Sequence, residues 1–317
     1  MKNLIKKLNG TVVPIPSFYK NNLEIDLTKL GKFLEFQKKI KVNNFYLAMA
    51  ASEFEFMSQQ ERLQITKFVS ENIPKKSILI SQPIGSGSIK SQIDEGKKMI
   101  DAGADALVVK PQSLKENSNF FSSKYLMRNY SPLRHDNFYV KYLETFTSEL
   151  KSPIVYHDHP FSNGIGLSLS GIKLLMKNKY IEAFKVHTSD PGHLREQYCL
   201  LNNKLASFDG FGKTLQFWTL QWGATARHSC WSWFEPKIDQ LFFDSVRQKD
   251  FKTAVKIINR ESPIVRIIRS TGYPGYKQLM EISGLPFTKS RIPGENSMYK
   301  FRSLIKKAYI QLKKTKI

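Results

Sequence analysis

The sequence predicts an α/β protein, a (β/α)8 TIM barrel with a small C-terminal helical extension. Short β-branched or aromatic runs recur along the chain, amphipathic stretches of helical period lie between them, and the alternation is regular. Strand runs alternating with helical runs imply parallel βαβ units. Eight such strands in roughly 230 residues suit a closed barrel better than an open doubly wound sheet. The barrel core is expected over residues 1–235, and the last barrel helix with the helical extension over residues 236–317.

The strands are expected at residues 11–15, 44–49, 77–82, 106–110, 153–158, 182–187, 204–209 and 226–231. Between them, residues 27–40 carry Leu27, Leu30, Phe33, Leu34 and Phe36 at helical spacing. Residues 58–69 open with Ser58 followed three positions later by Glu61, a capping box that satisfies two otherwise unpaired backbone N–H groups. Residues 89–102 repeat Ile93, Met99 and Ile100 and stop at Gly103. After the last strand come helical patterns at 237–246, 251–269, 276–283 and 298–314. The connection 112–136, with Asn117-Ser118-Asn119 and Pro132, is the longest without a clear pattern. It leaves the end of the fourth strand, on the face where barrel active sites lie.

Composition narrows the class. With 41% hydrophobic and 24% charged residues the chain can bury a sizeable core. A mean hydropathy of −0.36, with no apolar run near the roughly 20 residues a span needs, argues against a membrane protein. Met1-Lys2-Asn3-Leu4-Ile5-Lys6-Lys7-Leu8 starts like a signal peptide, but polar Asn9, Gly10 and Thr11 follow where the long apolar stretch belongs. Two cysteines, Cys199 and Cys230, make no disulfide framework, so a reducing cytoplasm is expected. The net charge is +22, from 49 Lys+Arg against 27 Asp+Glu. The lysines are scattered through almost every expected helix, and only the segment from Lys306 to Lys316 resembles a basic tail. That distribution fits a solvated surface or attraction for anionic small substrates, and no nucleic-acid partner is expected.

In a barrel, side chains at the C-terminal strand ends converge on one pocket. Those ends read Met49-Ala50-Ala51-Ser52-Glu53, Tyr156-His157-Asp158-His159-Pro160, Lys185-Val186-His187-Thr188-Ser189, Phe208-Asp209-Gly210 and Arg227-His228-Ser229-Cys230. Period two places His157 with His159, and Lys185 with His187, on one face of their strands. Lys185 follows apolar Ala183-Phe184; a lysine buried there has its charged form penalised and presents a nucleophilic amine. Alternatively it snorkels from the barrel mouth or pairs with Glu53. The histidines 157, 159, 187 and 228, with Asp158 and Asp209, also permit a metal site, although the H-x-H strand of metal-dependent barrel hydrolases is the first and here it is the fifth. Gly85-Ser86-Gly87-Ser88 reads as a strand-to-helix turn rather than a phosphate loop, and the cluster Trp218, Trp222, Trp231 and Trp233 as core or subunit contact.

Six segments in order resemble the pyruvate-type class I aldolases, the superfamily of dihydrodipicolinate synthase and N-acetylneuraminate lyase. They are Pro14-Ile15-Pro16-Ser17-Phe18, Met49 to Arg62, Gly103-Ala104-Asp105-Ala106-Leu107 through Pro111, residues 153–164, Phe184-Lys185, and Gly223-Ala224-Thr225-Ala226-Arg227-His228-Ser229. The resemblance covers residues 10–293 and implies that Lys185 forms an imine with a 2-oxo acid such as pyruvate or a keto-deoxy sugar acid, without a metal or organic cofactor. It marks a divergent member. His157 stands where the family has its proton-relay tyrosine, and Ala50-Ala51 replace the two threonines that hold the substrate carboxylate. Gln112 and Ser113 replace paired tyrosines, and Ser162 replaces the arginine that grips the synthase's second substrate.

The expected activity is therefore a Schiff-base-forming lyase, aldolase or dehydratase. Lys185 is the nucleophile, His157 the acid–base group, Ala50, Ala51 and Ser52 the carboxylate cradle, and His187, Asp209 and His228 further substrate contacts. Ring orientation of His157 would fall to Tyr156 or a backbone carbonyl. The alternatives are a metal-assisted lyase using His157, His159 and His187, and a catalytically retired barrel that binds a sugar acid or a protein. The family resemblance further implies a homo-oligomer.

Overall fold

The computed structural model describes residues 4–47, 50–83, 87–110, 132–159, 166–188, 190–294 and 299–317. Met49, Gly85-Ser86, Pro111, Gln112, Ser113, most of the 112–136 connection, and Pro160, Ser162, Gly164 and Ser189 lie outside the described residues. The elements run α1 (Leu4–Lys7), β1 (Gly10–Pro14), α2 (Leu27–Lys39), β2 (Asn44–Leu47), α3 (Gln59–Asn72), β3 (Ile78–Ser81), α4 (Ile89–Asp101) and β4 (Ala106–Val109). They continue as α5 (Pro132–Leu150), β5 (Ile154–Asp158), α6 (Leu169–Leu175), β6 (Ile181–Val186), α7 (Pro191–Leu201), β7 (Ala206–Asp209), α8 (Lys213–Gln221) and β8 (Ala226–His228). The final helices are α9 (Pro236–Arg247), α10 (Phe251–Ile282) and α11 (Arg302–Lys314).

All eight expected strands form, in one sheet ordered β7-β6-β5-β4-β3-β2-β1-β8, with parallel pairing. The amide of Thr225, at the entry to β8, donates to Ser207 O of β7 at 2.9 Å, bringing the two ends of the sheet order together. This is the (β/α)8 barrel with C-terminal helices. Residues 226–231 were expected as one strand, but it ends at His228 because Ser229 turns the chain: its Oγ accepts from Trp231 N, and Cys230–Trp233 wind into a 3-10 turn.

The chain packs as two compact units. Residues 1–9 and 80–227 form the first. Its strands are buried on both faces, with Leu107, Val108, Ile154, Val155, Ala183, Phe184, Val186 and Ala206 at 0–1% exposure, as helix-covered parallel strands require. Each of the larger side chains here, Val, Leu, Ile or Phe, contributes about 1.5–3 kcal/mol of burial. Helix α4 reaches the sheet closely at Gly96, where a β-carbon would come within 2.9 Å of Leu107 Cδ1. Ser88, Ser168 and Asp190 cap α4, α6 and α7 with side-chain oxygens, and Pro191 opens α7.

Residues 10–79 and 228–317 form the second unit. The capping box of Ser58 and Glu61 is present in both directions. The helical patterns 251–269 and 276–283 fall within one run, α10, broken at Gly272, whose φ of 62° and ψ of −149° suit glycine, two residues before Pro274. Helix α11 rests on Ile305 and Leu312, and its Lys313 joins Arg260 on the buried Glu235 carboxylate. Among the described residues no helix is long and apolar enough to cross a membrane.

Candidate active site

Strand register fixes which side chains meet. In β5 and β6, Tyr156 pairs with Phe184, His157 with Lys185 and Asp158 with Val186; in β6 and β7, Lys185 pairs with Phe208 and Val186 with Asp209. The outer face is identified by its partners. Asp158 accepts from Gln197 Nε2 of α7 at 2.7 Å and Leu167 N at 3.3 Å. Asp209 accepts from Thr219 Oγ1 of α8 and from Phe211 N at 3.0 Å. Alternation then turns His157 and Lys185 to the inner face. The amide of His187 donates to Asp158 O at 2.8 Å, extending the β5–β6 ladder one step, so His159 and His187 follow on the same side one level further along.

Lys185 is 6% exposed and His157 5% exposed, so the lysine does not snorkel into solvent. The ring of His159 lies 5.0 Å from that of His157 and 4.4 Å from that of His187, and His187 packs edge-on to Phe211 at 4.3 Å. One donor atom from each of these three histidines lies within 4.8 Å of the others. Gly210, at the end of β7, makes room: a β-carbon there would sit 3.2 Å from His187 Cε1 and 3.7 Å from Lys185 Cε.

All three imidazoles are held neutral at pH 7. Burial, then the positive charge of Lys185, pushes His157 well below the usual histidine range. Burial followed by Lys110 and Lys185 lowers His159 to about 4, and burial followed by Lys185 lowers His187 to about 3. A neutral imidazole offers one acceptor and one donor nitrogen. Neither ring nitrogen of His157 has a hydrogen-bond partner among the described residues.

Several expected contacts are corrected by this geometry. Tyr156 lies on the outer face, where burial raises its phenol well above the usual range, so it does not orient His157. Glu53, expected as a possible partner of Lys185, is paired with Lys277 at 2.5 Å. Asp209 points outward to α8 and is not brought to the inner wall with Lys185. Ser52 gives its single hydroxyl proton to Ile15 O at 2.6 Å, so it has none to offer a carboxylate while that bond holds. Ala50 is exposed and Ala51 buried in the turn after β2, and His228 stands edge-on to Tyr46 at 5.6 Å; these residues belong to the second unit. Lys110 was not among the expected site residues. Since Val108 pairs with Val155, Lys110 two residues later is level with His157, a signal that period two carries once register is known.

These features define a barrel whose inner wall carries a buried strand-borne amine beside neutral imidazoles. Comparison with known proteins agrees: the dihydrodipicolinate synthetase family model matches residues 7–121 and 129–308. The chain belongs to the dihydrodipicolinate synthetase family. It is 25% identical over 186 residues to a 4-hydroxy-tetrahydrodipicolinate synthase of Brachyspira hyodysenteriae, covering 58% of this chain and 57% of that one. It thus spans little more than half the length of that curated relative. Solved structures with the same fold include N-acetylneuraminate lyase from Fusobacterium nucleatum, with a TM-score of 0.80 and 18% identity over 96% of this chain and 99% of that one. An Escherichia coli prophage protein of the dihydrodipicolinic acid synthase family, solved with pyruvate, gives a TM-score of 0.79 and 17% identity over 96% and 98%.

Proposed function

We propose that the chain is a Schiff-base-forming lyase, an aldolase or dehydratase acting on a 2-oxo acid, with Lys185 as the nucleophile. The observation that carries it is the buried Lys185 amine on the inner wall, paired in register with the neutral His157. The amine adds to the keto carbon, and the carbinolamine loses water to leave a protonated imine joined to Nζ. That cation draws electrons from the adjacent carbon. In the aldolase reading the C4 hydroxyl gives up its proton, the C3–C4 bond breaks and an aldehyde leaves; the resulting enamine takes a proton at C3 to return the imine, and water then releases pyruvate from Nζ. In the dehydratase reading C3 loses a proton to give the enamine, which expels the C4 hydroxyl as water, and hydrolysis of the imine releases the product. His157 is suited to carry those protons, because a neutral imidazole both accepts and donates. The likeness of the whole chain to a dihydrodipicolinic acid synthase family protein solved with pyruvate supports the same substrate class.

Borohydride reduction in the presence of pyruvate or a keto-deoxy sugar acid tests this. The expected result is a stable mass gain located on Lys185 by peptide mapping. A chain that gains no mass with any 2-oxo acid would refute the imine chemistry.

A further inference from the structure

We infer that Lys110, His157, His159 and His187 form a subsite for a second anionic group of the substrate, a carboxylate or phosphate beyond the carbon joined to Lys185. The inference rests on the Schiff-base reading for where that group is delivered, but the subsite itself is made by these side chains.

Lys110 follows β4 and stands level with His157, which stands level with Lys185, so two ammonium groups flank one buried imidazole on three neighbouring strands. Both lysine charges act on His157 and on His159. Beyond burial, the neighbours that lower the three imidazoles are Lys110, Lys185 and the histidines themselves. Asp158 and Asp209, on the same strands as these groups or the next one, are turned outward and engaged by Gln197 and Thr219. Both ring nitrogens of His157 and Nδ1 of His187 are buried without hydrogen-bond partners among the described residues. Each neutral imidazole carries one N–H, and an incoming anion supplies that donor with an acceptor.

Three imidazoles this close could also hold a divalent cation. A dication there, however, would face the positive charges of Lys110 and Lys185. Coulomb repulsion scales with the product of the charges, so a divalent ion is repelled twice as strongly as a monovalent one at the same distance. An anion is attracted by the same two positive charges, and the imidazole N–H groups supply donors. Charge-assisted hydrogen bonds of this kind are roughly twice as strong as neutral ones.

The experiment compares borohydride trapping at Lys185 with 2-oxoglutarate and with 2-oxohexanoate, which has similar length but no distal charge. Inorganic phosphate is the competitor. The wild-type chain is expected to half-saturate at a 2-oxoglutarate concentration at least about 10-fold lower. Lys110→Met is expected to bring the two within about 2-fold, and Lys110→Arg to keep the preference. Competition by phosphate identifies a general anion site; competition by carboxylates alone identifies a carboxylate site, and either supports the inference. Equal half-saturation in the wild-type chain, or a preference that survives in Lys110→Met, overturns it while leaving the imine chemistry intact. If no 2-oxo acid forms an adduct, calorimetry with phosphate and 2-oxoglutarate separates the two ideas. Binding lost in Lys110→Met keeps the subsite and removes the imine, and no binding removes both. One zinc ion per chain, bound at the three histidines and displaced by neither anion, also overturns the inference.

Discussion

Replacing Lys277 by Met tests how the turn that carries Ala50–Ser52 is held. Glu53 ends that turn in a left-handed conformation, φ 54°, and its carboxylate is 1% exposed. Lys277 Nζ lies 2.5 Å from Glu53 Oε1 and 3.0 Å from Ser17 Oγ, while the other carboxylate oxygen accepts from Arg291 N at 2.9 Å. Methionine keeps an unbranched stem of similar length, so packing is conserved while the ammonium is lost and a carboxylate is stranded in the interior. Breaking a buried pair from one side costs about 3–5 kcal/mol. Unfolding entropy of about 2.1 cal/mol/K per residue amounts to about 0.7 kcal/mol/K for 317 residues. For cooperative unfolding of the whole chain, Tm therefore falls by about 4–7 °C. Urea denaturation and calorimetry measure the loss. The double variant Glu53→Gln with Lys277→Met should be less destabilised than the sum of the single changes, because no charge is left behind. A Lys277→Met variant within about 1 kcal/mol of wild type would show that the pair does not anchor the turn.

Two further outcomes are expected. His157→Phe keeps the ring volume and removes the proton relay, so turnover on any 2-oxo acid that traps at Lys185 should fall about 10²–10⁴-fold; unchanged steady-state rates would transfer the role to His187. Glu61 is held below the usual carboxylate range chiefly by hydrogen bonds from Arg291, with Ser58 adding to it. A lowered folded-state value means that its contribution is complete above the unfolded pKa of about 4.3 and is lost as pH falls through the folded value. Denaturation midpoints between pH 7 and pH 3 should therefore show Glu61→Gln destabilised at neutral pH and converging on wild type in acid, and a gap that stays constant would refute this.

The amino-acid order by itself determined the eight strands, their alternation with helices and the faces that their side chains share. These are local properties, set by period and propensity within a few residues. Local signals also mark the Ser58 capping box and Lys185 within its apolar strand. Strand ends came out one to several residues too long where β-like composition ran past the last paired backbone group, most visibly after His228, where Ser229 caps a turn. Only the tertiary structure decided which face of each strand is the inner one, because that follows from the helices that cover the other. The burial of Asp158 against Gln197, and of Asp209 against Thr219, settles it. Register likewise belongs to the pairing of strands rather than to any one of them, which is why Lys110 joins His157 and Lys185 only in the folded chain. The partner of Glu53 was decided in the same way. A buried carboxylate takes whichever cation the fold brings to it, and packing against the C-terminal helices made that Lys277.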